Sequence, residues 1–467
     1  MAEQLWTRLL SEAWAALDPV DPDHPGADPG PLEVTGQPGH LPSHLAVEDT
    51  AIACAGAALL AAADWQARSG GSRPRAARLD RGHVAAVFRS EAYLRVNGKA
   101  AGAGFAPLSR FWRTSDGWVR THANYPWHRA ALLRALGTDG DREPVAAALA
   151  DLTAREAEDL VVGAGGIAAA VRSQAAWQAE PAGQAVAATR LVEGRAVGTA
   201  PPRRRAAGER PASGIRVLDL TRVIAGPVAT RYLAALGTDV LRLDPPHRPE
   251  LPLHARDGLL GKRSALLDLG SRGGADGSAR LHELLDGADV LVHGYRPHAL
   301  DRFGLTADAL AERHPGLVVV SLSAWGSTGP WGGRRGFDSI VQAACGIAVA
   351  ESSDGERPGA MPCQLLDHGT GYLCAAAALR ALAAQAMRGG TQVRELCLAR
   401  TGQWLLGQDP PTSPADAPGG TDPAWLSPIE SPEGTMTVVR PPGQLDGEGL
   451  DWPGPLTRYG SDPPAWR

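Results

Sequence analysis

Lysine is nearly absent: Lys99 and Lys262 are the only two among 46 basic residues. Arginine supplies the rest beside abundant Ala, Gly and Pro, a pattern of GC-rich coding that says little about function. The net charge of −5 argues against a general nucleic-acid binder. Cysteine is scarce too. Cys54, Cys345, Cys363, Cys374 and Cys397 are odd in number, show no CxxC spacing and sit mostly among apolar neighbours. That excludes a disulfide framework and points to buried thiols in a reducing cytoplasm, the expected location. No CxxC pair accompanies the histidines, so no metal site is expected. No apolar run reaches the ~18–20 residues of a membrane span. The opening MAEQLWTRLLSEAW is amphipathic and carries acids, unlike a signal peptide. Also missing are a GxGxxG after a strand, a Walker A loop and a GxSxG elbow. The lone cluster Gly163-Ala-Gly-Gly166 reads as a helix-ending turn.

What is present centres on Gly214–Pro246, GIRVLDLTRVIAGPVATRYLAALGTDVLRLDPP. It reads as strand, tight turn, helix, strand. A strand feeding a helix N-terminus leaves unpaired N–H groups at the positive end of the helix dipole, a ready site for phosphate. The alternation continues to about residue 350. Strands are predicted at 215–220, 239–243, 263–268, 289–293 and 317–323. Helices are predicted at 226–236, 277–286, 297–302, 306–313 and 338–350, with a long one at 368–388. This spacing implies an α/β doubly wound parallel sheet.

The flanks differ in composition. Residues 18–43, rich in Pro, Gly and Asp, read as a loop, and 45–68 as an Ala/Leu helix. Residues 100–180 mix strand-like pieces around Trp112–His122 with helices at 128–136, 143–150 and 153–163, the pattern of a smaller α+β domain. The run 198–213 has linker composition. The expected layout is 1–200, a linker at 201–213, an α/β unit at 214–400, and a Pro/Gly-rich tail at 401–467 with one strand near Gly434–Arg440. Shifting the sequence by 319 positions lays 48–81 on 367–400 without a gap. Leu60/Leu379, Gln66/Gln385, Gly70/Gly389, Arg75/Arg394 and Arg81/Arg400 then match. Both copies read as a helix, a Gly-Gly end and an extended run.

Candidate residues for chemistry are scattered: Asp219, Lys262, Arg263, Arg296, Asp338 and Asp367. Asp367 follows an apolar run at a helix start, with Gly369 and Gly371 behind it. On geometry alone an N-cap role is favoured. A carboxylate kept ionised by the helix N-terminus could equally be a nucleophile, with the glycines allowing close approach.

Six segments decide between these readings. They are VLDLTRVIAGPVATRYLAALGTDVLRLDPP, GKRSALLDL, HGYRPHALDRFGL, SLSAWGSTGPW, GFDSIVQAACGIA and LLDHGTGYLCAAAALRAL, in that order. Over 214–400 the chain resembles the family III CoA-transferases (the CaiB/BaiF type, with formyl-CoA transferase, carnitine CoA-transferase and α-methylacyl-CoA racemase). The resemblance implies a CoA-binding catalytic domain with Asp367 as the catalytic aspartate. It implies CoA contacts at Arg222, Val223, Ile224 and Ala225, at the basic pair Lys262 and Arg263, and at Arg296. It implies coenzyme A as substrate with no permanent cofactor, acyl-CoA and a small carboxylic acid as partners, and a homodimer. His293 and His298 depart from the family's NFRPG segment. The racemase histidine falls on Phe337, which cannot move a proton, so the transferase reading gains over racemisation. Another CoA-thioester enzyme of the same fold, such as an isomerase or dehydratase, and a non-catalytic CoA-binding paralogue stand as the alternatives. Backbone N–H groups near Gly369 and Gly371 are expected to stabilise oxyanions. Residues 48–81 resemble the family's crossing helix, and 109–137 and 158–181 its smaller domain, placed ahead of the nucleotide unit. Glu48 falls on the catalytic position without the LLDHGTG context. This half is expected to supply a wall over the CoA site rather than its own catalysis.

Overall fold

The computed structural model describes residues 4–17, 30–70, 75–206, 208–270, 274–411 and 421–467. Its centre is a seven-stranded sheet: β1 (Glu193–Val197), β2 (Arg216–Leu220), β3 (Asp239–Asp244), β4 (Arg263–Leu266), β5 (Val290–His293), β6 (Val318–Ser323) and β7 (Thr391–Cys397). The spatial order is β4-β3-β2-β5-β6-β7-β1. All neighbours are parallel except β1, which runs antiparallel along β7. Successive residues face opposite layers. Val217 joins one buried cluster and Leu218 the other, on opposite faces of the sheet. Strands buried on both faces read as near-continuous apolar runs, which is why the sequence displayed them so clearly.

Five helices matter for the site: α1 (Val47–Gly70), α2 (Pro126–Leu136), α3 (Ala225–Ala235), α4 (Asp338–Cys345) and α5 (Leu365–Arg388). The predicted helix at 338–350 breaks at Gly346, whose φ is +102°. The predicted helix at 297–302 is reduced to one 3₁₀ turn, Asp301–Phe303, after His298 adopts a φ of +65°.

Helices α1 and α5 are each 24 residues long and pack on one another. Each precedes a strand and a short helix: 77–80 then 81–87, and 391–397 then 398–406. By length and composition α1 could cross a membrane, but it is buried in the protein core. Its Ala-rich surface lets α5 approach closely: a Cβ added at Gly369 would lie 3.3 Å from the Cys54 sulfur. Gly71, the second glycine of the N-terminal copy, lies outside the described residues.

The flanks are tied into the fold more firmly than their composition suggests. The stretch 198–206 is strapped to the catalytic unit rather than free. Ala200 accepts the Gly390 N–H at 2.7 Å, and Arg203 donates to the Pro315 carbonyl at 2.6 Å. Linker composition misled because backbone and guanidinium contacts, not apolar burial, fix it. In the C-terminal stretch the strand expected near Gly434–Arg440 is present at Gly434–Val439. Residues 426–431 and 434–439 form a hairpin that pairs with 95–96, and 444–445 pairs with 77–78. The tail therefore completes small sheets begun by the N-terminal half. A separate three-stranded sheet, 111–113, 118–121 and 168–170, packs with α2 and with helix Ala154–Gly163 as the smaller α+β unit.

Candidate active site

The strand order reverses between β2 and β5. In open parallel sheets a crevice forms there, beyond the strand C-termini. A cavity of about 290 Å³ occupies this place. Val223 enters it after β2, Pro245 after β3, Tyr295 and Arg296 after β5, Ser323 from the end of β6 and Leu398 after β7. Asp367 is the only carboxylate among the lining residues, whereas five lining residues are arginines: Arg222, Arg248, Arg296, Arg334 and Arg335.

Asp367 is the third residue of α5, not its cap. Gln364 holds the cap position without a side-chain bond. Asp338, opening α4, does the capping from outside: its Oδ2 accepts the Asp367 N–H at 2.9 Å. Its Oδ1 accepts from Gln342 Nε2 at 2.5 Å. Burial, then the charges of Asp338 and Glu91, push the Asp367 carboxyl well above the ordinary carboxylate range. Burial likewise raises Asp338, to about 6. The expectation that the helix N-terminus keeps Asp367 ionised is corrected: Asp338 takes the helix donor, and its charge adds to the desolvation. The oxyanion role for Gly369 and Gly371 is corrected too. Both lie inside α5, where N–H groups bond four residues back. Gly371 serves packing: a Cβ there would lie 2.5 Å from the Ala225 carbonyl oxygen at the start of α3. The helix start that lines the cavity is that of α3, at Ala225, whose cap residue Ile224 makes no side-chain bond.

The predicted CoA contacts separate into two groups. Arg222, Val223, Ala225 and Arg296 share the cavity with Asp367. Ile224 is buried and not among the lining residues. Lys262 and Arg263 are corrected. Lys262 Nζ is enclosed, donating to Asp219 Oδ2 at 2.9 Å and to the Pro227 carbonyl at 3.1 Å. Burial pulls it down to about 8, against the opposing pull of Asp219. It pins the first turn of α3 from beneath. Arg263 is paired with Asp239 at 2.8 Å and donates to the Ala465 carbonyl. Both basic groups have spent their charge inside the protein.

The remaining wall comes from the N-terminal half of the same chain. Tyr125, Trp127, His128 and Ile167 line the cavity. Tyr125 and Trp127 stack at 4.7 Å. The Arg222 guanidinium lies 5.3 Å from the Tyr125 ring centre, and Arg248 lies 5.4 Å from that of Trp127. Phe337 is flanked by His122, stacked at 3.8 Å, and His128, edge-on at 5.9 Å. Burial leads in lowering both imidazoles, His128 to about 4, so they are neutral. Arg248, Arg335, Trp127 and His128 were not foreseen from sequence. The Arg-rich composition hid the arginines, and the wall residues lie about 240 positions from Asp367. Glu48 is engaged structurally: its carboxylate accepts the Gly39 and His40 N–H groups at 2.9 and 2.7 Å and pairs with Arg81 at 3.0 Å.

A second cavity of about 310 Å³ runs along the C-terminal edge of β5, β6 and β7 and shares Tyr295, Leu322 and Ser323 with the first. His293 and His298 lie there.

Residues 212–425 match the family described as CoA-transferase family III. The chain is 31% identical over 202 residues to a probable fatty acyl-CoA transferase of Mycobacterium tuberculosis, covering 40% of this chain and 50% of that protein. It is 37% identical over 180 residues to the formyl-CoA:oxalate CoA-transferase of Streptomyces coelicolor, covering 36% of this chain and 43% of that protein. The chain thus spans about half the length or less of these curated relatives. A crystal structure of a hypothetical protein from Mycobacterium tuberculosis overlaps it with a TM-score of 0.39 at 30% identity, over 42% of this chain and 58% of that one.

Proposed function

We propose that this chain, whose residues 212–425 match the family described as CoA-transferase family III, moves CoA from an acyl-CoA thioester to a small carboxylic acid through Asp367. The observation that carries the reading is a single carboxylate set among arginines at the sheet's switch point. The Asp367 carboxylate attacks the thioester carbon. The C–S bond breaks, giving a mixed anhydride and CoA thiolate. The thiolate attacks the aspartyl carbonyl and releases the donor acid as its carboxylate. The acceptor carboxylate then attacks the aspartyl-CoA thioester, and the expelled thiolate returns to the acceptor's acyl carbon. Asp367 is regenerated and the thioester is conserved. A carboxyl raised by burial is the stronger nucleophile once ionised.

CoA carries a diphosphate. Arg248 and Arg335 line the cavity and have no carboxylate partner among the described residues. They suit that group, together with Arg296. The two adjoining cavities suit a long ligand, with its reactive end at Asp367.

The test is CoA exchange by the full chain with acetyl-, formyl- and succinyl-CoA against short carboxylic acids, followed by chromatography. Asp367→Asn should lose activity by on the order of 10³-fold or more. Undiminished exchange by that variant would remove the reading.

A further inference from the structure

Four non-glycine residues have positive φ among the described residues: Asn97, Val223, His298 and Asp446. Only Val223 is β-branched, the side-chain class for which this conformation is most strained. It has a φ of +70° and lines the cavity at the β2–α3 corner. Strained backbone persists only where its surroundings hold it.

What holds it is Glu250. The Val223 N–H donates to Glu250 Oε2 at 2.9 Å. The same oxygen accepts from Arg242 at 3.1 Å, and the Arg222 guanidinium stands 3.6 Å away. Glu250 Oε1 accepts the Leu251 N–H at 2.8 Å and the Tyr125 hydroxyl. The Glu250 side chain is fully enclosed. Burial raises its carboxyl, and Arg242, Arg222, the Tyr125 hydroxyl and the Val223 N–H together pull it down to about 2. Glu250 is therefore a fixed anion whose acceptor positions are shared between the strained turn and a tyrosine of the N-terminal wall.

We infer that Glu250 is a positioning residue. It locks Val223 in the left-handed conformation that shapes the β2–α3 corner for CoA. Tyr125 in turn steadies Glu250, so the N-terminal half sets how firmly that corner holds its ligand. The inference deepens the CoA-binding reading and rests on it.

The test uses the full chain and two readouts: calorimetric affinity for CoA, and amide hydrogen exchange over residues 222–226 without ligand. Glu250→Ala should weaken CoA binding by about tenfold and speed exchange at the corner. The decisive variant is Val223→Gly in the Glu250→Ala background. Glycine takes a positive φ without cost. The double variant should therefore bind CoA within about threefold of Val223→Gly alone, a coupling that a double-mutant cycle isolates. Loss of packing or charge at position 250 would not be repaired this way. A double variant as weak as Glu250→Ala overturns the proposal. Tyr125→Phe, which removes only a hydroxyl, should speed exchange at 222–226 measurably. Unchanged exchange overturns the link to the N-terminal half. If the wild type binds no CoA, the functional reading fails and the grip on CoA with it. The exchange data then decide whether Glu250 locks the corner.

Discussion

Asp338→Asn perturbs the site most sharply short of changing Asp367. The amide oxygen can still accept the Asp367 N–H, so the first turn of α5 stays capped while the buried charge disappears. In the wild type, burial raises Asp338 from 3.8 to about 6. That displacement corresponds to about 3 kcal/mol at about 1.4 kcal/mol per pH unit. The folded pKa lies above the unfolded one, so the folded state binds more protons than the unfolded state between about pH 4 and 6. The Asp338 contribution therefore favours folding most below about pH 4. It is lost as pH rises through about 6, where the folded carboxyl must ionise. Asparagine has no such proton. Urea unfolding at a series of pH values should show the variant gaining about 3 kcal/mol relative to wild type between about pH 4 and 7. Asp367 is raised partly by the Asp338 charge. Its ionisation should shift down in the variant, moving the acid limb of the turnover profile to lower pH. A stability difference that stays flat with pH would refute the coupled-carboxyl picture.

Other expectations follow from individual contacts. Lys262→Met strands the Asp219 charge in the core and should cost about 3–5 kcal/mol in urea unfolding, and Asp219→Leu added to it should recover much of the loss. Arg335→Ala should leave stability within about 0.5 kcal/mol while weakening CoA binding several-fold by calorimetry, with the deficit shrinking at high salt. Gly371→Ala drives a Cβ against the Ala225 carbonyl and should destabilise by about 1–3 kcal/mol, checked by thermal unfolding, with a loss of CoA affinity because the start of α3 moves. A fragment of residues 205–467 loses α1 from the face of α5 and should be insoluble or inactive, and full turnover by that fragment would contradict the role given to the N-terminal half.

The parts visible in sequence are those where one physical requirement dominates locally. Strands β2 to β6 announce themselves because both faces are buried. The turn at Arg222–Ala225 and the Asp367 segment could be named from their motifs. Local pattern could not reveal which basic groups were free. Lys262 and Arg263 look like ligand contacts until Asp219 and Asp239 are found beside them. The capping of α5 by Asp338, 29 residues earlier, is likewise a tertiary fact, and it reverses the expected effect on Asp367. The strap at 198–206 lacked a periodic apolar signal because partners far along the chain hold it.

The central claim is a covalent bond to Asp367. Incubating the full chain with acyl-CoA, trapping with hydroxylamine and mapping peptides by mass spectrometry tests it directly. The account expects a hydroxamate at Asp367 that requires acyl-CoA and is absent from Asp367→Asn. Sustained CoA transfer with no modification at Asp367, or with the adduct on another residue, would contradict it.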